Sequence, residues 1–253
     1  MCLIGLDGAN SKILDLMNLN LNITTKLRST LPPYTPPAWT SLFTGVNPGK
    51  HGILGFFTMK QNRPSLVSAS DVKYPRVFEM AAMFKKKSIV INVPLTSPFK
   101  ALLGLKYMTI VSDWAAPKQS IWPYGLYKKY SEYLVKPPYE WCKYKNLKDY
   151  IKRVEEYTRL RLNLYYDLAE KDDWNLYIIV FSEIDWLLHR IPEILEKNSI
   201  NLVSNVLGLI KKFILDMCNI CENVIIVSDH GFEIKIVELN LNSLFAKSMA
   251  KKG

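Results

Sequence analysis

The sequence predicts an α/β fold: a doubly wound, mostly parallel sheet with helices on both faces and an inserted cap. Three observations carry this expectation. Short apolar runs of strand length alternate with stretches of helical period, as in a parallel sheet whose crossovers are helices. Three of those runs, beginning near residues 1, 176 and 224, lead into segments that hold Asp7, Asp185 and Asp229. From about Pro94 to Tyr144 no period holds for long and aromatic residues stand among prolines, so 1–100 and 172–253 read as a metal-binding α/β core and 101–171 as an inserted cap.

Taken in order, Met1 to Leu6 is a short apolar run that breaks at Asp7-Gly8, which puts Asp7 at the C-terminal end of a buried strand. A weak helical signal follows from Ile13 to Met17. The polar stretch after it leads to Thr35-Pro36-Pro37, where a loop becomes a helix, because proline is tolerated in a first helical turn. Gly45 and Asn47-Pro48-Gly49 end that helix early. Thr35 thus sits at a helix N-terminus, either as an ordinary N-cap or as a hydroxyl held where the macrodipole favours anions. Val77 to Phe84 reads as helix and Ser88 to Val93 as a second buried strand.

Within the cap, Trp114, Trp122, Tyr124, Tyr127 and Tyr130 belong to no regular pattern, and a helix then runs from about Leu147 to Ala169. Its stripe, Ile151, Val154, Tyr157, Arg161, Leu164 and Leu168, has core spacing. Leu176 to Phe181 is a strand that passes into Ser182-Glu183-Ile184-Asp185. If that segment turns helical, Asp185 and His189 lie one turn apart on one face, as a metal pair requires. An amphipathic helix from Leu202 to Met217 precedes the last strand, Val224 to Val227, which ends in Ser228-Asp229-His230-Gly231-Phe232.

Composition narrows the functions. A chain of 253 residues, 49% hydrophobic, has ample material for a core. The formal charge of +10 suits an acidic partner such as a phosphate ester, but no Lys/Arg block is dense enough for a nucleic-acid groove, and Lys85-Lys86-Lys87 reads as a solvated helix end. The four cysteines are too few for a disulfide scaffold, which points to a reducing, cytoplasmic setting; Cys218 and Cys221 read as buried thiols and not as a zinc or redox pair. Neither a signal peptide nor a membrane span is expected, since the most apolar segment, Ile200 to Ile220, contains Lys211, Lys212 and Asp216.

Parallel strands align their C-terminal ends along one edge, where open α/β sheets bind ligands. Two of the three histidines, His189 and His230, stand beside the carboxylates of that edge. Carboxylate and imidazole without clustered thiolates suit Zn²⁺ or Mn²⁺, and Asp7, Asp185, His189, Asp229 and His230 together can hold two ions.

With these motifs in place, the chain resembles the alkaline phosphatase superfamily, and within it the type I phosphodiesterase/nucleotide pyrophosphatase group, especially archaeal-type members. The resemblance rests on Ile4 to Gly8, Thr35 to Ile53, Asn92-Val93-Pro94, Asp185 to His189 and Ser228 to Phe232. It implies that Asp7, Thr35, Asp229 and His230 ligate one metal, that Asp185 and His189 ligate a second, and that Thr35 is the nucleophile of a phospho-threonine mechanism. The implied substrate is a small-molecule phosphodiester or nucleotide, with phosphomonoester hydrolysis, phosphotransfer or a truncated, inactive binding role as alternatives. Two departures from the family pattern stand out. Phe56 occupies the place of a phosphate-holding Asn, and no His follows His230 to complete the second metal site, a role for which His51, in its Gly-Lys-His-Gly turn, is poorly suited.

Overall fold

The computed structural model describes residues 1–19, 21–171, 173–195, 200–234, 237, 240–243 and 245. The chain begins with strand β1 (Cys2–Leu6), then helices α1 (Ser11–Met17), α2 (Thr35–Thr44) and α3 (Pro48–His51). A two-stranded ribbon follows, β2 (Phe57–Lys60) and β3 (Arg63–Leu66), then α4 (Val77–Met83), β4 (Ser88–Ile91), β5 (Met108–Val111) and β6 (Ile121–Trp122). The short α5 (Tyr127–Tyr130) and the long α6 (Leu147–Ala169) lead to β7 (Leu176–Phe181), α7 (Glu183–Arg190), α8 (Ser204–Ile220) and β8 (Val224–Val227).

Six of these strands form one sheet in the order β6-β5-β4-β7-β1-β8. Every pairing is parallel except that of the edge strand β6 with β5. This is the mostly parallel α/β sheet that the sequence predicts. Its two faces follow from the period of two along each strand. Ile4 and Leu6 of β1, with Ile179 and Phe181 of β7, face one core, packed under α1, α6, α7 and α8. Ile178 and Val180 of β7, with Val90 and Ile110, face the other, under α2 and α4. Strands apolar on both faces are what helix-covered parallel sheets require.

Two expectations are corrected. The region 101–171, expected as a cap, divides: β5 and β6 extend the sheet, and α6 buries Tyr150, Val154, Tyr157, Leu164 and Leu168 in the core. β6 is only two residues long and Thr109 interrupts the apolar run of β5, so both are defined by the neighbours they pair with and not by a pattern of their own. The cysteine reading also changes. Cys218 is exposed, whereas Cys221, just past α8, is bonded to Cys2 at the start of β1. Among the described residues no helix is long and apolar enough to cross a membrane.

Candidate metal centre and active site

The strand order places β1 between β7 and β8, and their register pairs Leu6 with Phe181 and Gly5 with Val227. Continuing that register, Asp7 leaves the sheet at the level of Ser182 on one side and Asp229 on the other, and its N–H donates to the Phe181 carbonyl at 3.0 Å. Asp185 then lies to one side of Asp7 and Asp229 to the other. Gly8 makes this convergence possible: its φ is +70°, and a Cβ there would stand 3.0 Å from Asp185 Oδ1. Its N–H donates to Asp229 Oδ1 at 3.3 Å.

Thr35 reaches the edge from the other core. The indole ring of Trp39, one turn along α2, fills the space that a Cβ on Gly5 would take, so α2 sits directly over β1. Thr35 Oγ1 is thereby placed 3.5 Å from Asp7 Oδ1 and 3.1 Å from His230 Nε2. The N-cap of α2 is Tyr34, not Thr35, which is the first helical residue. Pro36 and Pro37 carry no N–H, and the Ala38 N–H is already bonded to the Tyr34 carbonyl, so the helix start offers an anion little beyond the Thr35 N–H. The Thr35 hydroxyl, more than a cluster of backbone donors, is what this helix contributes.

His230 is fixed by its own loop. Its Nδ1 lies 2.9 Å from the Gly231 carbonyl, the geometry of an Nδ1–H donor, which leaves the Nε2 lone pair facing the carboxylates. That Nε2 is 3.3 Å from Asp229 Oδ2 and 3.6 Å from Asp7 Oδ1. Ser29 and Asn10, neither singled out by the sequence, brace the loop: the Ser29 hydroxyl donates to the Asp229 carbonyl at 2.6 Å and the Asn10 amide to the Phe232 carbonyl at 3.0 Å. Both lie in polar stretches without a motif.

Asp185 and His189 do fall one turn apart on α7, with Nε2 to Oδ2 at 3.6 Å. The two expected ligand sets are contiguous. Asp7, Asp185 and His230 each bring a ligand atom within 4.8 Å of the others'. His189 is half-exposed, with its ring stacked on Trp141 and edge-on to Phe232. His51 is fully buried: its Nε2 is 2.8 Å from the Ser41 hydroxyl, and its Nδ1 accepts the Ile53 N–H at 3.1 Å. Both nitrogens are used in the turn, so it supports that loop.

The electrostatics at this edge favour a cation. Burial raises the Asp7 carboxyl above its ordinary range despite the opposing pull of His230. Asp185 and Asp229 are raised further, by burial and then by the Asp7 charge. Asp7 Oδ2 and Asp229 Oδ2 are buried and have no hydrogen-bond partner among the described residues. Three crowded carboxylates with spare oxygens, an imidazole lone pair and a hydroxyl are a donor set that fits a divalent ion.

A cavity of about 500 Å³ opens over this edge. Asp185 and Glu233 supply its carboxylates, His189 and His230 its imidazoles and Thr35 its aliphatic hydroxyl, with an aromatic wall around them, and neither Lys nor Arg lines it among the described residues. Phe56 stands 6.3 Å, centroid to centroid, from Trp114, which is 5.2 Å from Tyr139. A site with crowded carboxylates at its floor and aromatic walls suits a polar ester joined to a flat or apolar group. The family model described as Type I phosphodiesterase / nucleotide pyrophosphatase matches residues 1–250. No curated protein matches the chain.

Proposed function

The chain belongs to the type I phosphodiesterase/nucleotide pyrophosphatase family of hydrolases, and on that footing we propose that it is metal-dependent and cleaves phosphodiester or pyrophosphate bonds through a phospho-threonine at Thr35. The observation that carries the proposal is the Thr35 hydroxyl standing between the Asp7 carboxylate and His230 at the floor of the cavity. Asp7, Thr35, Asp229 and His230 would hold one ion, and Asp185 and His189 a second, Zn²⁺ or Mn²⁺ suiting both. Ions so held would ease loss of the Thr35 proton and offset phosphoryl charge.

Thr35 Oγ1 gives its proton to solvent and attacks phosphorus; the new O–P bond forms and the ester bond to the leaving group breaks, the departing oxygen taking a proton from solvent. Water then attacks the same phosphorus, cleaves the Thr35 ester and releases a monoester. The aromatic walls, Phe56, Trp114 and Tyr139, would hold the leaving group and exclude water from it. The absence of Lys and Arg from the described lining supports a diester over a monoester, because the monoester's additional negative charge would have no dedicated donor.

The test compares a bis-aryl phosphate with the corresponding aryl monoester, using purified protein supplemented with Zn²⁺ or Mn²⁺. The diester should be hydrolysed faster. Thr35→Ala should lose essentially all activity, and Thr35→Ser should keep a measurable part, since only the hydroxyl is required. Thr35→Ala matching wild type would refute the nucleophile. A strong monoester preference would move the protein to phosphomonoesterase or phosphotransfer chemistry.

A further inference from the structure

The β2–β3 ribbon is turned the wrong way for an ordinary hairpin. Its register pairs Phe57 with Leu66 and Met59 with Pro64 on one face, and Thr58 with Ser65 on the other. A ribbon lying on a core buries its apolar face. Here Phe57, Met59 and Leu66 are each about two-thirds exposed (65, 65 and 64%), while Thr58 and Ser65 are the partly covered pair. The orientation is pinned: Lys60 Nζ bonds Asp71 Oδ2 at 2.8 Å, and the same oxygen accepts from the Ser68 N–H and hydroxyl. Leu54, beside Phe57 in a shallow groove, is exposed as well.

The extended segment before Thr35 has the same character. Ile23 and Leu31 are 88% exposed and Leu27 is 71% exposed, and the segment ends in Pro33 and Tyr34 at the rim of the cavity. The ribbon begins next to Phe56, on the same rim. Charge follows the apolar surface. From residue 16 to residue 75 the bases are Lys26, Arg28, Lys50, Lys60, Arg63 and Lys73, all exposed, and the one acid is Asp71, which is paired with Lys60.

We propose that this surface docks the protein on an anionic lipid bilayer, with the mouth of the cavity towards the membrane. Exposed apolar side chains interspersed with bases that, Lys60 apart, have no acid partner among the described residues match the two terms of interfacial binding: insertion at the acyl boundary and attraction to acidic headgroups. A second copy of the chain fits less well, because a two-fold contact through this face would set its bases against their own copies. Nucleic acid fits less well too, since it offers nothing to cover Phe57, Met59 and Leu66.

The test is co-sedimentation of the full chain with phosphatidylcholine vesicles with and without phosphatidylserine, in low and high salt. Binding should be at least tenfold stronger with phosphatidylserine and weaken in 0.5 M salt. A Phe57→Ser/Met59→Ser variant and an Arg28→Glu/Arg63→Glu variant should each lose about tenfold in binding while hydrolysing a water-soluble diester at the wild-type rate. That rate reports separately on the catalytic proposal. The inference fails if wild type does not sediment with anionic vesicles, or if the serine variant binds them as well as wild type does, which would leave only diffuse charge attraction. A wild-type dimer in solution that the serine variant splits would assign the face to self-association and overturn it as well.

Discussion

Gly5 decides whether Thr35 reaches the carboxylate edge. The residue has no φ that demands glycine; its requirement is contact, because the Trp39 ring of α2 occupies the volume a Cβ would take and Val180 closes the other side at 3.0 Å. Gly5→Ala should therefore push Trp39, and with it the first turn of α2, off β1. Overpacking of this kind costs about 1–3 kcal/mol. A displacement of Thr35 approaching an ångström should lower kcat for a diester by about 10–100-fold. Urea unfolding and steady-state kinetics on Gly5→Ala check both, and a destabilised variant with unchanged kcat would separate packing from catalysis. The edge carboxylates were legible in the sequence, since a polar break after each apolar run marks the end of a buried strand. Gly5 was not legible, because its role arises from a contact with a residue on another element.

The elements differ in how plainly the chain announces them. The α6 helix has a period long enough to read, and even Arg161 follows its stripe into the core, where the guanidinium donates to Asn92 Oδ1 at 2.7 Å and to the Tyr165 hydroxyl at 3.1 Å. The strands β5 and β6 and the irregular stretch from 113 to 146 have no such period; pairing and tertiary contact define them. That stretch brings Trp114, Tyr139 and Trp141 to the cavity, where Phe56 joins them. By sequence Phe56 stands where the family has a phosphate-holding Asn; in the structure its ring belongs to the aromatic wall. If the wall grips the leaving group, Trp114→Ala should raise KM for a bis-aryl phosphate about tenfold and leave kcat/KM for a dialkyl phosphate nearly unchanged, since a buried aromatic contact contributes on the order of 1 kcal/mol beyond its area. Equal losses on both substrates would assign Trp114 to the fold.

Across the whole molecule, the parallel topology gathers more buried acid than a metal-free protein holds comfortably. Besides Asp7, Asp185 and Asp229, burial raises Asp113 to about 6 and Glu183 to about 7. The sign of the pH dependence follows. Between the ordinary carboxylate value and these raised values, the folded chain keeps protons that the unfolded chain has released. Stability without metal therefore falls as pH rises, through the window from about 3.8 to about 6 for Asp113 and from about 4.5 to about 7 for Glu183. A divalent ion held by the edge carboxylates, as proposed, would act in the opposite sense, since it would bind their deprotonated forms and its hold would strengthen with pH. Thermal unfolding of chelator-treated protein should show Tm decreasing from pH 5 to pH 7.5, and the rise in Tm on adding Zn²⁺ or Mn²⁺ should grow over the same interval. Asp113→Asn, distant in sequence from the ligand set, should flatten the metal-free slope below pH 6 without changing the metal-induced rise. Asp7→Asn should remove most of that rise, because Asp7 lies between both ligand groups. With four candidate ligands at one site against two at the other, elemental analysis after dialysis should find close to one tightly held ion, with diester hydrolysis climbing as more metal is added. A metal-free Tm that climbs with pH would contradict the buried-acid account, and a Tm indifferent to every divalent ion would contradict the metal centre.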